Sequence, residues 1–275
     1  MSEIKEIIGT VAENSTEIVK ELYADAAKPA VQPTGEIVSL IPRAIKAALL
    51  PVEKWVVQRE YNLKETKKLL EEKLKDVPPE NIESPEAHIA VPALQYISYC
   101  MDNEELKNMY ANLLANSMNS VVKNGVHPGF VEIIKQLSPD EAKVLKHFYS
   151  NRTVPTVTLR YELNNGGGVA VLKNFSNIGE LIGCERPLSI NIYFDNLIRL
   201  GLLKDSSSLS SLTDKNLYLP LKTHPALVPL LDPKRIAETK YEKSTFVEGF
   251  MSLTDYGDAF CKICLDPPQS DDKKK

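Results

Sequence analysis

The sequence predicts a mainly α-helical fold: an N-terminal and central helical bundle followed by a C-terminal α+β domain. Three observations carry this reading. Apolar residues recur at helical spacing through the first half of the chain, as in Ile4, Ile7, Ile8 and Val11. Capping residues and prolines punctuate that pattern at helix-length intervals. Beyond Tyr149, β-branched runs and the cluster Gly166-Gly167-Gly168 interrupt the helical period.

The N-terminal region, 1–80, opens with an amphipathic helix expected over Ser2 to Lys28. Ile18, Val19 and Leu22 extend its apolar face, and Pro29 and Pro33 end it. Its first residues lack a basic stretch and a cleavable apolar core, so no secretory leader is expected. The segment 37–57 is mostly apolar and long enough to cross a bilayer. Arg43, Lys46, Glu53 and Lys54 interrupt it, however, and Pro42 and Pro51 divide it. A charge at the membrane centre costs at least ~2.5 kcal/mol, which argues against a span. The segment admits three uses: core helices, an interfacial helix with Trp55 at a membrane surface, or an oligomerisation stripe. Leu63 to Lys75 reads as a charged surface helix with i,i+4 Glu and Lys pairs, and 76–81 as a break.

The central region, 81–137, holds the densest helix signals. Ser84-Pro85-Glu86 predicts one helix start, Asp102 with Glu105 a second, and Ser138-Pro139 with Glu141 a third, a capping box. Ile89, Ala93, Tyr96, Ile97 and Cys100 form one apolar stripe. Leu106, Met109, Tyr110, Leu113, Leu114 and Met118 form another. Asn124-Gly125 reads as a helix stop with Gly125 in the left-handed region. His127 stands just before the next helix start, where a capping or packing role is expected rather than catalysis.

These residues carry a resemblance. Pro92, Glu104, Leu106, Tyr110, Ala111, Leu113, Leu114, Ala115, Ser117 and Met118 form its first block. His127, Pro128, Phe130, Ile133, Gln136, Leu137, Ser138, Glu141 and Ala142 form its second. In this order they are similar to the Abi-alpha, or abortive infection alpha, family. The resemblance implies a bacterial protein associated with defence against phage. It implies no chemistry, because the family brings no catalytic residues to carry over. Within it, Tyr110, Leu113, Leu114, Ser117, His127, Pro128, Phe130 and Gln136 are expected to serve structure or interaction.

The C-terminal region, 138–265, resembles a winged helix in its order of elements. A first helix is expected over Ser138 to Tyr149, a strand over Val154 to Leu159, and a turn at 164–168. A second helix is expected over Phe175 to Cys184 and a third over Pro187 to Leu203, ended by Gly201. Lys215 to Leu221 and Thr245 to Met251 read as wing strands around a proline-bearing insertion. Thr254 is expected to cap the last helix and Gly257 to approach the sheet closely. The third helix holds the position used for DNA recognition in such folds, so Arg186, Asn191 and Arg199 are the candidate DNA-binding residues. The region carries 15 Lys and Arg against 14 Asp and Glu, a net of +1. That is thin for a protein that draws its affinity from phosphate neutralisation. The tail, 266–275, is polar and expected to be disordered.

Composition narrows the function further. The whole chain has a formal net charge of −4, which does not suit a surface built to hold nucleic acid. Four cysteines, Cys100, Cys184, Cys261 and Cys264, are too few for a disulfide scaffold in 275 residues and fit a reducing cytoplasm. The pair Cys261 and Cys264 lacks the second pair or nearby His of a zinc site. No P-loop, H-E-x-x-H or G-x-S-x-G motif is present. The expectation is a non-enzymatic interaction or sensor protein of abortive infection, with no cofactor and no metal, acting as a homo-oligomer or on a protein partner. A DNA-binding regulator is the alternative, and a toxin enzyme the third. The expected place is cytoplasmic, with peripheral contact at the inner membrane through 37–57.

Overall fold

The structure, a computed structural model, describes residues 60–207 and 210–267. The helix expected over Ser2 to Lys28, the segment 37–57 and most of the tail lie outside the described residues. Among the described residues helices predominate over a four-stranded antiparallel sheet. They divide into two compact units: one runs to Asp102 and resumes over Tyr110–Val131, and the other comprises Asn103–Met109 and the chain from Glu132 on.

In the first unit, α1 (Glu60–Leu74) buries Thr66, Leu70 and Leu74, one stripe at i, i+4 and i+8. α2 (Ala87–Ile97) buries Ile89, Ala90, Ala93, Leu94 and Ile97 and tolerates Pro92 in its interior. The helix start expected at Ser84 falls later: Glu86 occupies the cap position and contributes no side-chain hydrogen bond. The cause is a competing pairing. The Glu83 N–H donates to the Met118 carbonyl at 2.8 Å, and Ile82 bridges Asn119, which holds this stretch extended. α3 (Glu104–Met118), of which only the part from Tyr110 belongs to this unit, is buried almost continuously from Tyr110 to Met118. The cap expected of Asp102 is supplied by Asn103, whose Oδ1 accepts from the Leu106 N–H at 2.9 Å. Gly125 is not left-handed. It closes a 3-10 turn over Lys123–Gly125, because α3 has already stopped at the Asn119 bridge.

In the second unit, α4 (Gly129–Lys135, of which only the C-terminal half belongs here) leads to α5 (Pro139–Asn151). The capping box is present: the Glu141 N–H donates to Ser138 Oγ at 3.3 Å, and the Ser138 N–H donates to Glu141 Oε2 at 2.6 Å. β1 (Thr153–Glu162) follows, longer than the expected strand. A strand that the sequence reading lacked, β2 (Gly168–Phe175), pairs with it through a turn in which Gly166 has φ +89°.

The second helix shrinks to α6 (Ile178–Leu181), because Phe175 closes β2 and Gly183, at φ +67°, ends the turn. α7 (Ile190–Arg199) is preceded by a 3-10 turn at Pro187–Ser189 and ended by Gly201 at φ +75°. Leu203 then opens β3 (Leu203–Asp205) rather than extending the helix. Lys215 to Leu221 is not a strand. The Asp214 side chain accepts from the Asn216 N–H, and Pro220 sits in the first turn of Leu219–Lys222, so the segment winds into helical turns. β4 (Lys243–Leu253) and α8 (Asp255–Cys264) complete the unit. Thr254 Oγ1 accepts from the Gly257 N–H at 2.8 Å, and Gly257 lies against the Leu202 carbonyl where a Cβ would collide.

The sheet order is β2-β1-β4-β3. β1 and β4 pair along their full length, Thr153 opposite Ser252 and Glu162 opposite Lys243. Asn174 Nδ2 donates to Asp205 Oδ2 at 3.1 Å, tying the two outer strands together and curling the sheet. One face packs on α5, α7 and α8, with the Phe148 and Phe194 rings 6.1 Å apart. The other face carries Val157, Leu159 and Tyr161 and is covered by the insertion through Tyr218, Leu221, Leu227 and Ile236. Tyr218 is buried. Its hydroxyl accepts from the Leu212 N–H and donates to the Gly249 carbonyl.

Candidate functional site

The turn between α6 and α7 is built on one carboxylate. Asp140 is 5 % exposed and sits in the first turn of α5, where a helix N-terminus favours negative charge. It accepts from the Glu185 N–H at 2.9 Å, the Arg186 N–H at 3.1 Å and the Tyr193 hydroxyl at 2.7 Å. Burial alone would raise its pKa, but these donors, with Lys143 nearby, outweigh burial and hold the carboxyl below its ordinary value. The neighbouring Cys184 thiol is pushed up to about 11 by burial, and the Asp140 charge adds to this. Burial and Asp140 also raise Tyr193. Asp140 thus fixes where α7 begins.

Of the candidate DNA-binding residues, Arg186 and Arg199 are exposed and Asn191 is half-buried. Arg186 is positioned through its backbone by Asp140. Arg199 donates to Gln136 Oε1 at 3.1 Å and to Asn196 Oδ1 at 2.6 Å, and the Asn196 amide donates to Glu141 Oε1 at 2.7 Å. Gln136 therefore acts as a docking partner of α7. Four further cations of this unit are paired internally: Arg152 with Asp258, Arg160 with Glu162, and both Lys215 and Lys222 with Glu248. Large apolar side chains also face solvent around α6 and α7, among exposed Glu180, Glu185, Arg186, Asp195 and Arg199. Leu181 is 73 %, Leu188 56 % and Ile192 62 % exposed.

In the first unit, Tyr110, Leu113, Leu114 and Ser117 are buried along α3, and Ser117 donates to the Leu114 carbonyl at 2.7 Å. Tyr110 stacks on Tyr96 with centroids 6.5 Å apart. His127 Nδ1 accepts from the Gly129 N–H at 3.0 Å, and its ring lies 5.7 Å from that of Phe130. That is the capping and packing role expected of it. Ser117 and Pro128 also line an open cleft of about 230 Å³, together with Ser84, Glu86, Lys123 and Asn124. Lys123 pairs with Glu83.

Among the described residues, no three His, Cys, Asp or Glu side chains gather as metal ligands would. The thiols are not activated: burial raises Cys261 to about 12 and Cys264 well above its ordinary value. The Asp140 cluster and the outward stripe of α7 were not singled out from the sequence. The leucines and isoleucine of that run read equally well as core, and only the positions of Tyr193 and Phe194 on the opposite face reveal which of them point outward.

No curated protein sequence matches the chain. A solved structure similar to it, an uncharacterized protein from the hydrocarbon-degrading marine bacterium Alcanivorax borkumensis SK2, is 16 % identical over 49 % of this chain and 90 % of its own, with a TM-score of 0.36. The family model described as abortive infection alpha matches residues 58–264, a span that takes in the buried α3 stripe, the His127 cap and the whole sheet. The chain belongs to the abortive infection alpha family.

Proposed function

We propose that this chain is a non-enzymatic interaction protein of bacterial antiphage defence, acting in the cytoplasm through contacts with protein. Family membership supports the abortive-infection context. The succession α5, β1, α6, α7, β3, β4, with β1, β4 and β3 adjacent, supports reading the second unit as a winged helix to which β2 adds an edge strand. One observation carries the choice of protein over DNA. The helix in the recognition position presents exposed Ile192 and the 3-10 turn before it exposed Leu188, while Arg199 is engaged by Gln136 and Asn196. The test is a phage challenge at low and high infecting dose, comparing empty vector, the wild-type gene and a variant carrying Leu188→Ser with Ile192→Ser. Survival at low dose with collapse at high dose in the wild type, lost in the variant, is the expected result. Full protection by the variant overturns the role of this surface.

Exposed Arg186 and Arg199 favour a second reading, a DNA-binding regulator. Duplex binding that falls steeply with salt and is lost in Arg199→Ala supports it, and absence of binding at low salt removes it. Among the described residues no helix is long and apolar enough to cross a membrane. Peripheral contact through 37–57 is tested by flotation with anionic vesicles, where a chain lacking that segment should stay at the bottom of the gradient.

A further inference from the structure

The open cleft of the first unit, about 230 Å³, has a lining rich in hydrogen-bond acceptors. Ser117, only 4 % exposed, has given its hydroxyl proton to the Leu114 carbonyl, so its oxygen is left as an acceptor. Glu86 occupies the cap position of α2 but its side chain makes no capping hydrogen bond; its carboxylate contacts His88 Nε2 at 3.3 Å. The side-chain amide of exposed Asn124 has no partner among the described residues. The one ammonium of the lining, Lys123, is already held by Glu83. Two carboxylates, Glu83 and Glu86, thus stand against one ammonium. The single negative charge left over outweighs the about +0.5 at the start of a helix such as α2. Buried Ile89 and Val126 supply apolar wall.

We propose that this cleft binds a primary ammonium group carried on an unbranched alkyl stem. An ammonium brings three donors and no acceptor. Glu86, Ser117 and Asn124 offer it three oxygens, one of them charged, and Ile89 and Val126 offer its stem an apolar bed. A phosphate or carboxylate would instead meet the charges of Glu83 and Glu86. The volume lies below the ~300 Å³ at which small-molecule pockets begin, so the cleft takes one side chain or a short diamine rather than a nucleotide. Two sources carry this chemistry: a lysine side chain of a protein, and a free diamine. The site owes nothing to the apolar residues around α7, and its test is separate from theirs.

Isothermal titration calorimetry of the full chain tests this with butylammonium, putrescine and Nα-acetyl-lysine amide, and with butyrate as the anionic counterpart. The amines should bind and butyrate should not. Glu86→Gln should weaken amine binding at least tenfold. Because Glu86 is exposed and caps nothing, its melting temperature should stay that of the wild type. Asn124→Ala, a second exposed position, should weaken binding severalfold. Tighter binding of putrescine than of the lysine amide supports a free diamine as the source, and the reverse order supports a protein lysine. A wild-type chain that binds none of the amines overturns the proposal. So does binding of butyrate in their place, or amine binding unchanged in both Glu86→Gln and Asn124→Ala.

Discussion

At the scale of single residues, Asp140 is the most consequential polar group in the second unit. It holds two backbone N–H groups and the Tyr193 hydroxyl in a nearly dry site. Asp140→Ala orphans all three donors, and each orphaned buried donor costs ~1–3 kcal/mol. We expect a loss of at least about 3 kcal/mol in urea unfolding near neutral pH. The pH dependence follows from the lowered carboxyl. In the native state it keeps its charge to lower pH than in the unfolded chain, so its contribution is full above the unfolded value of ~3.9 and is lost as pH falls towards the folded value. The wild type and Asp140→Ala should therefore converge in stability in acid, and parallel curves would show that Asp140 acts by shape alone. Gly257 is a contrasting case, limited by space rather than charge. A Cβ there meets the Leu202 carbonyl, so Gly257→Ala must push α8 away from the chain entering β3. Gly166→Ala meets nothing within 4 Å and carries only the ~1–2 kcal/mol of a left-handed backbone. Melting temperatures should rank wild type, Gly166→Ala and Gly257→Ala in descending order.

At the scale of elements, what was legible was local. The capping box at Ser138, the stop at Gly201 and the cap at Thr254 each need only a few consecutive residues, and the structure has all three. The His127 cap belongs with them, since its acceptor nitrogen and its donor are two residues apart. What escaped depended on distant partners. β2 is an edge strand that runs from exposed Gly168 and Val169 through partly buried residues to buried Asn174 and Phe175, so its apolar residues show no clean alternation, and only its pairing with β1 makes it a strand. Asp102 and Asn103 are equally good caps on paper, and the entry of the chain into α3 selects Asn103. The apolar look of Lys215 to Leu221 comes from Tyr218 and Leu221 packing under the sheet from helical turns. The cysteines of α8 give a measurable check on which helix face is inside. Cys184, Cys261 and Cys264 are buried and Cys100 is half-buried. Native protein treated with iodoacetamide should label at Cys100 first, and the other three should react only after unfolding. Early labelling of Cys261 would place α8 the other way round.

At the scale of the whole molecule, the family match and the sheet say different things about what is essential. The match spans residues 58–264 and attaches no single residue to a task. The sheet is built on its two inner strands, β1 and β4. β4 is paired on both sides, with β1 and with β3, and its register joins Thr153 to Ser252 across nearly a hundred residues of chain. Truncation before Lys243 should accordingly remove the folded signature of the second unit as a whole, read by circular dichroism and urea unfolding, while the α1 to α3 region keeps its helicity. A truncated chain that retains a cooperative transition for α5 to α7 would show that β4 is dispensable. The same strand sets the order of events during synthesis. Contacts of such long sequence separation make folding slow, on the millisecond-to-second scale of sheet proteins. When a ribosome has released β1, α7 and β3, those strands still lack the neighbour that lies between them, and their edges stay open until residues 243–253 emerge. The unit that carries the exposed face of α7 can therefore become competent only once β4 has emerged, so chains arrested before it would not display that face in its folded form.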